Sequence, residues 1–198
     1  MRKILFSRDS ACIQPIREMI ENQKHRTLAM WAVDCAGPVL DFFHKRVPGD
    51  TRPFEAIEAA KAWMRGDIKM PAAKKAILAA HRAALEAEHD PAACAAARAI
   101  GHAAATVHVE THALGLVFYG LTAFVYGTVS GDAGQTVAEE CKRYYDRLLY
   151  WQEHIDDTER RLAPFLMRHD VPNKERLLRQ KREQKLLQAD KTHGLAGD

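Results

Sequence analysis

The sequence predicts an all-α protein built from stacked antiparallel helix hairpins, as an irregular bundle or a short α-solenoid. Alanine is heavily used, alternating β-branched runs are absent, and proline and glycine stand between the apolar-periodic segments rather than inside them. The chain has 198 residues, of which 47% are apolar and 28% charged. A chain of this length and composition buries a substantial core, which excludes wholesale disorder and a collagen-like fibre.

The first half of the chain contains four predicted helices separated by breakers. The second carries a continuous stripe of apolar residues at helical spacing between Leu28 and Phe43. The breaker VPGDTRP follows the second helix and offers Asp50 or Thr51 as the N-terminal cap of the third helix. Gly66 is predicted to end the third helix. The predicted ranges are 10–22, 24–45, 53–65 and 71–88.

Alanine dominates the next part of the chain, where it fills 17 of the 34 positions from residue 72 to residue 105. The pair Asp90 and Pro91 provides the start of a fifth helix inside this stretch. Small side chains let two helix axes approach more closely than leucine or phenylalanine would. The fourth and fifth helices are therefore predicted to form a close antiparallel hairpin.

The longest uncharged stretch, residues 111–131, predicts a fully buried sixth helix that begins near Leu114. Its length approaches the roughly 20 apolar residues of a membrane span. It contains glycines, tyrosines and threonines, however, and lacks flanking basic anchors, so we predict no membrane segment. A long seventh helix is predicted over residues 135–167, with an apolar side that runs from Tyr144 to Leu162.

Charge divides the chain into a predicted helical domain, residues 1–167, and a basic, helix-prone tail, residues 168–198. The first part contains 21 basic and 21 acidic residues, whereas the tail contains eight basic and five acidic ones, so the tail holds the whole net charge of +3. The tail is expected to pack loosely or to project, with four leucines as its apolar anchors. Mixed charge without interleaved aromatic residues makes nucleic-acid binding an unfavoured interpretation.

The four cysteines, Cys12, Cys35, Cys94 and Cys141, form no CxxC pair and are predicted to be buried, reduced thiols. The N-terminus has a basic start but only three consecutive apolar residues, too few for the core of a signal peptide. These two features together predict a cytoplasmic protein.

Histidine is the first residue type to consider for chemistry, because the chain contains ten. His108 and His112 are four residues apart, a spacing that places two imidazoles on one face of a helix. The zinc-protease motif HExxH is absent, and His102 would lie on another side of the same helix. A metal would need a further ligand from elsewhere, so we predict hydrogen-bonded histidines at a helix interface and no metal.

Arg98 and His102 are also four residues apart, on a helix made otherwise of small and apolar residues. A guanidinium in such surroundings needs a partner, for which Asp34 and Glu58 are the candidates. Asp34 lies in an apolar sequence context that suits either a structural ion pair or the floor of a pocket. No nucleophile elbow, phosphate loop or dinucleotide fingerprint occurs in the sequence, so no catalytic residue is assigned.

Several segments in this order resemble one family of bacterial proteins: HRTLAMWAVDCAGPVL, RPFEAIEAAKAWMRGD, the alanine-rich hairpin, and ARAIGHAAATVHVETHALGLVFYG. The family is the immunity-five-like family of polymorphic toxin systems, and the resemblance spans about residues 25–126. It implies an all-helical protein without cofactor or catalytic residues that binds and neutralises a cognate toxin. The neutral body and basic tail offer no evident acidic face, which argues against a nuclease as the toxin.

Our first functional hypothesis is therefore a helical protein that binds a toxin and occludes it. Such binding relies on a rigid surface with a few aromatic or arginine anchors. The candidate binding residues are Trp31, Asp34, Trp63, Arg98, His102, His108 and His112. The tryptophans, with Trp151, are expected in the core or at an interface.

Two alternatives stay open at the level of sequence. One is a metal-dependent or small-ligand enzyme in which Asp34, Arg98 and the three histidines His102, His108 and His112 surround a cleft. The other is a homodimer or larger oligomer that pairs through the leucines of the tail.

Overall fold

The computed structural model describes residues 4–128, 131–157, 161–168 and 170–194, with side chains as far as residue 188. Within these residues it contains α-helices and short 3-10 helices and no strand, so the predicted all-α class is confirmed. The helices are α1 (Gln14–Glu21), α2 (His25–Arg46), α3 (Arg52–Arg65), α4 (Met70–Glu86), α5 (Pro91–Ala105), α6 (Ala113–Gly127), α7 (Ala133–His154) and α8 (Lys174–Gly194). The 3-10 helices are Ala11–Ile13, Glu110–His112 and Pro164–Met167.

The alanine-rich helix α5 lies at the centre of the bundle, where it contacts α2, α3, α4 and α6. Its alanines, together with Ile100 and Gly101, are buried, and small side chains of this kind allow four neighbouring helices to approach one axis. Helices α4 and α5 pack against each other across the turn at residues 87–90, as the hairpin prediction required. Larger side chains fill the layer outside α5, among them Trp31, Phe43 and Tyr144.

Two predicted helix boundaries are confirmed by local geometry. Asp90 accepts hydrogen bonds from the backbone N–H groups of Ala92 and Ala93, both at 3.1 Å, and so caps the start of α5. Gly66 follows α3 in a left-handed conformation with φ +81°, which a side chain would strain.

Helix α6 is buried from Ala113 to Ala123 except at Tyr119, so the prediction of a buried helix is confirmed for most of its length. Among the described residues, no helix is long and apolar enough to cross a membrane.

The predicted pairing of His108 and His112 on one helix face is wrong. Helix α5 ends at Ala105, and residues 106–109 interrupt the helical path before the 3-10 helix begins at Glu110. The Thr106 hydroxyl donates to the His102 carbonyl at 2.9 Å, and Val109 has an extended backbone with φ −154°. Hydrogen bonds of this kind, from a side chain to the backbone, compete with helix continuation. The apolar pattern of the sequence did not reveal this break in the helix.

The seventh helix is shorter than predicted, since α7 ends at His154 rather than at residue 167. Residues 158–160 of the predicted range lie outside the described residues. Residues 161–168 do not continue α7. They pack beside α3, where the Ala163 N–H donates to the Met64 carbonyl at 2.6 Å, and Pro164 begins a short 3-10 helix.

A second correction concerns Pro38, which lies inside α2 although prolines were expected between helices.

Polar contacts, not the four leucines, fix the start of the tail. The Asn173 amide donates to the carbonyls of Ile20 and Gln23, and its oxygen accepts from the N–H of Glu175. The carboxylate of Glu175, with 1% of its side chain exposed, pairs with Arg8. Leu177, Leu178, Leu186 and Leu187 are exposed. The division into two domains stays a prediction.

Candidate binding cleft and histidine cluster

An open cleft of about 720 Å³ is bordered by α2, α3, α7 and the segment 161–162. We call it the basic cleft. Its lining residues are Met30, Val33, Asp34, Gly37, Lys61, Met64, Arg65, Arg147, Tyr150, Trp151, Arg161 and Leu162. The volume lies within the range of pockets that bind small ligands or single side-chain clusters of a partner.

A hydrogen-bonded triad forms the floor of the basic cleft. Asp34 Oδ2 accepts from Arg147 Nε at 2.7 Å and from Trp151 Nε1 at 2.8 Å. The Arg147 guanidinium also lies 4.4 Å from the centre of the Tyr150 ring, a cation–π distance. These contacts join α2 to α7 and fix the orientation of three polar side chains at the bottom of the cleft.

Four basic side chains, Lys61, Arg65, Arg147 and Arg161, line the basic cleft together with one carboxylate, that of Asp34. Lys61 and Arg65 lie one turn apart on α3 and form exposed ion pairs, each at 2.7 Å, with Glu58 and Asp67. Exposed pairs of this kind contribute only about 0–1 kcal/mol and exchange partners readily. Arg161 forms no ion pair with any residue that the structure describes.

Residues 161–168 form the wall of the basic cleft that carries Arg161, and neighbouring residues hold this wall in place. The backbone bond from Ala163 to Met64 attaches it to α3, and Phe165 stacks on Trp63 with ring centres 5.3 Å apart. Asp156, between α7 and this wall, pairs with the buried Arg26 of α2. The cleft is therefore pre-shaped before any partner arrives.

A second polar group, the histidine cluster, consists of His81 on α4, His102 on α5 and His112 before α6. The Nδ1 atoms of His102 and His112 are 3.1 Å apart, so one of them donates a hydrogen bond to the other. The ring centres of His81 and His102 are 5.5 Å apart, and Tyr119 stacks on His102 at 5.2 Å. Of the two histidines predicted to be hydrogen-bonded at a helix interface, His112 is part of this cluster and His108 is not.

Two glycines make room for the cluster. A Cβ on Gly101 would lie 2.6 Å from Cε1 of His81, and one on Gly115 would lie 2.5 Å from Cγ of His102. Neither distance is compatible with a side chain, so the ring positions depend on these two glycines.

Burial is the largest cause that lowers the pKa of His102, and together with the neighbouring His112, His81 and Arg98 it brings this pKa to about 3. Burial also lowers the pKa values of His81 and His112. All three rings are therefore neutral near pH 7. Among the described residues, no group of three or more histidine, cysteine or carboxylate side chains is placed to hold a metal ion.

The structure disperses the residues that the sequence suggested as one constellation. Asp34 lies in the basic cleft, and His102 and His112 lie in the histidine cluster. His108 stacks on Trp63 with ring centres 6.0 Å apart. The five residues of the enzyme hypothesis therefore do not surround one cleft.

The proposed partners of Arg98 are wrong, because Asp34 pairs with Arg147 and Glu58 with Lys61. Arg98 lies over Tyr119 beside the histidine cluster, 5.9 Å from the ring centre. Trp31 is fully buried, and its indole N–H donates to the Tyr144 carbonyl at 3.0 Å. Trp31, Trp63 and Trp151 are all buried, as expected of core or interface positions.

Sequence reasoning missed most of the cleft, in particular Arg147, Lys61, Arg65 and Arg161. A signal was present: Lys61 and Arg65 have the four-residue spacing of one helix face, and Arg147 precedes Trp151 by the same spacing. The position of Arg161 had no such signal, because it depends on the wall folding back onto α3.

These features describe an all-α bundle with a pre-shaped basic cleft. The pattern that defines the Imm-5 like putative immunity protein family matches residues 18–150, and the chain belongs to this family. Neither the curated proteins nor the solved structures gave a match. The resemblance inferred from the sequence is thus confirmed.

Proposed function

We propose that this protein binds a cognate protein toxin and neutralises it by covering the toxin's functional surface, without catalysis. The observation that carries the proposal is the family match over residues 18–150. The matched region includes α2, α3 and most of α7, and these helices supply most of the lining of the basic cleft.

Occlusion requires a surface that loses little conformational freedom when the partner binds. The basic cleft meets this requirement, since the triad of Asp34, Arg147 and Trp151 joins two helices beneath it. Arginine and aromatic residues of this kind are the anchors that dominate protein–protein binding energy. We further propose that the protein acts in the cytoplasm of a bacterial producer cell, where it would meet the toxin before export.

The test is co-expression in a bacterial host with each candidate toxin encoded by a gene adjacent to this one. We expect growth to be restored by this protein and not by an unrelated helical protein of similar size. A purified, catalytically inactive toxin should form a stable complex with it in size-exclusion chromatography. Persistent toxicity together with the absence of a complex would contradict the proposal.

A further inference from the structure

We propose that the basic cleft is the docking site for an acidic segment of the partner protein, with carboxylate side chains on its rim cations and an adjoining apolar side chain in its interior. This inference rests on the proposed function and adds to it the chemistry of the contact. In this proposal the inhibitor supplies the basic residues of the contact and the toxin supplies the acidic ones.

The rim geometry already suits carboxylates. At the rim, Lys61 and Arg65 each hold an exposed carboxylate of this chain at 2.7 Å, whereas Arg147 pairs with Asp34 on the floor. Partner carboxylates can replace Glu58 and Asp67, because exposed ion pairs are weak. Arg161, without an ion pair among the described residues, provides one further cation.

The interior of the cleft suits an apolar side chain. Met30, Val33, Met64 and Leu162 supply aliphatic surface, and the Tyr150 ring lies beside them. A partner segment in which an acidic residue adjoins an aromatic or aliphatic residue would therefore place the carboxylate at the rim and the apolar side chain inside the cleft. Burial of that neighbour supplies about 25 cal/mol per Å² of apolar surface.

Nucleic acid fits this arrangement less well. The cations of the basic cleft line one cavity, and Asp34 places a negative charge on its floor. Binding of single strands uses a basic groove with successive aromatic platforms. Among the described lining residues, the cleft has one exposed aromatic ring, that of Tyr150, and no succession of platforms.

The first experiment compares charge-reversal variants in binding to the purified, inactive toxin encoded beside the gene. Lys61→Glu, Arg65→Glu and Arg161→Glu are expected to weaken binding at least tenfold each, and salt should weaken the wild-type complex. Lys142→Glu is the matched control, because Lys142 is exposed on α7 and pairs with Asp146 as Lys61 pairs with Glu58. Circular dichroism should show unchanged folding in all four variants.

The second experiment needs no toxin. The indole N–H of Trp151 bonds to Asp34 in the cleft, whereas that of Trp31 is buried against Tyr144, so their NMR resonances serve as reporter and internal reference. An acidic peptide, acetyl-Asp-Phe-Asp-Glu-amide, should shift the Trp151 resonance saturably. The neutral analogue acetyl-Asn-Phe-Asn-Gln-amide and an oligo-uridine RNA should not, and Arg65→Glu should abolish the response.

The outcomes separate the two proposals. Toxin binding that survives every cleft reversal would overturn the docking site and leave the proposed function standing. Failure of the wild-type protein to bind the toxin would contradict the proposed function. In that case the peptide titration alone tests whether the cleft binds an acidic segment. An unmoved Trp151 resonance, or a stronger response to RNA than to the acidic peptide, would overturn the docking site.

Discussion

At the scale of single residues, the histidine cluster combines burial, proximity and neutrality. His81, His102 and His112 belong to separate helical elements, and each has a lowered pKa because of burial. A proton added to any of them would bring positive charge close to the other rings and to Arg98. The cluster therefore stabilises the bundle only while its rings are uncharged.

We expect the free energy of unfolding to fall as the pH is lowered from about 6.5, the ordinary histidine pKa, toward 5. In this window the unfolded chain binds protons that the folded cluster excludes, and above it both states are neutral. Each excluded proton lowers stability by up to about 1.4 kcal/mol per pH unit. Urea unfolding at several pH values measures the slope.

His102→Gln should make that slope shallower, whereas His89→Gln, at an exposed position in the turn before α5, should leave it unchanged. A wild-type slope that does not differ from that of His102→Gln would contradict the role assigned to the cluster.

The glycines below the cluster give a second residue-scale prediction. Gly115→Ala should lower the free energy of unfolding by about 1–3 kcal/mol, because its Cβ would collide with the His102 ring in a packed interior. Gly37→Ala is the control, since nothing lies within 4 Å of its Cβ position inside α2. Chemical denaturation should show Gly37→Ala to be neutral or more stable by up to about 1 kcal/mol.

At the scale of secondary-structure elements, local sequence predicted the helices well where caps and breakers are explicit. Asp90 and Gly66 mark real boundaries, and the alanine-rich hairpin packs as expected. Two failures lie where other hydrogen bonds replace helix continuation: the local bond from the Thr106 hydroxyl to His102, and the long-range bond from Ala163 to Met64. Residues 106–109 and the wall after α7 belong to this class, and their apolar content alone is compatible with a helix.

The candidate site was harder to predict than the fold because its contacts join residues that lie far apart in the sequence. Asp34 was singled out from its apolar surroundings, but its partners Arg147 and Trp151 are more than a hundred residues away. Similarly, His102 meets His112 only because the helix breaks between them. Spacing rules apply within one continuous helix, so they could not have brought these residues together.

Asn173 gives the prediction at this scale, because its side chain attaches the start of α8 to the end of α1. Asn173→Ala should accelerate tryptic cleavage within α8 while the remaining helices stay protected, since two interhelical hydrogen bonds and the helix cap are lost together. Gln184→Ala, at an exposed position on α8, is the control. Equal cleavage rates in both variants would show that other contacts hold the tail.

At the scale of the whole molecule, the packing around α5 does not require the tail. The described contacts of α8 involve α1 and the 3-10 helix before α6, at the edge of the bundle. The core residues themselves lie between Ile13 and Leu166.

We therefore expect a chain truncated after Met167 to remain helical and to unfold in one cooperative transition. A modest loss of stability should come from the Arg8–Glu175 and Arg179–Glu21 pairs and the hydrogen bonds of Asn173. Circular dichroism during thermal unfolding measures this. Light scattering of the same protein tests the oligomer hypothesis: a lower oligomeric state than that of the full chain would support pairing through the tail. A truncated chain without helical signal would show that the proposed domain boundary is misplaced.

The wall of the basic cleft that carries Arg161 and Leu162 lies beyond residues 18–150, whereas most of the opposite lining lies within them. One side of the cleft is thus encoded by a short stretch whose exposed residues, such as Arg161, lie outside the core. Substitutions at those exposed positions are expected to reshape the cleft and to leave the scaffold intact. This separation offers an evolutionary route by which sister proteins can diverge in the target they recognise, and exchanging this stretch between paralogues is a direct way to follow it.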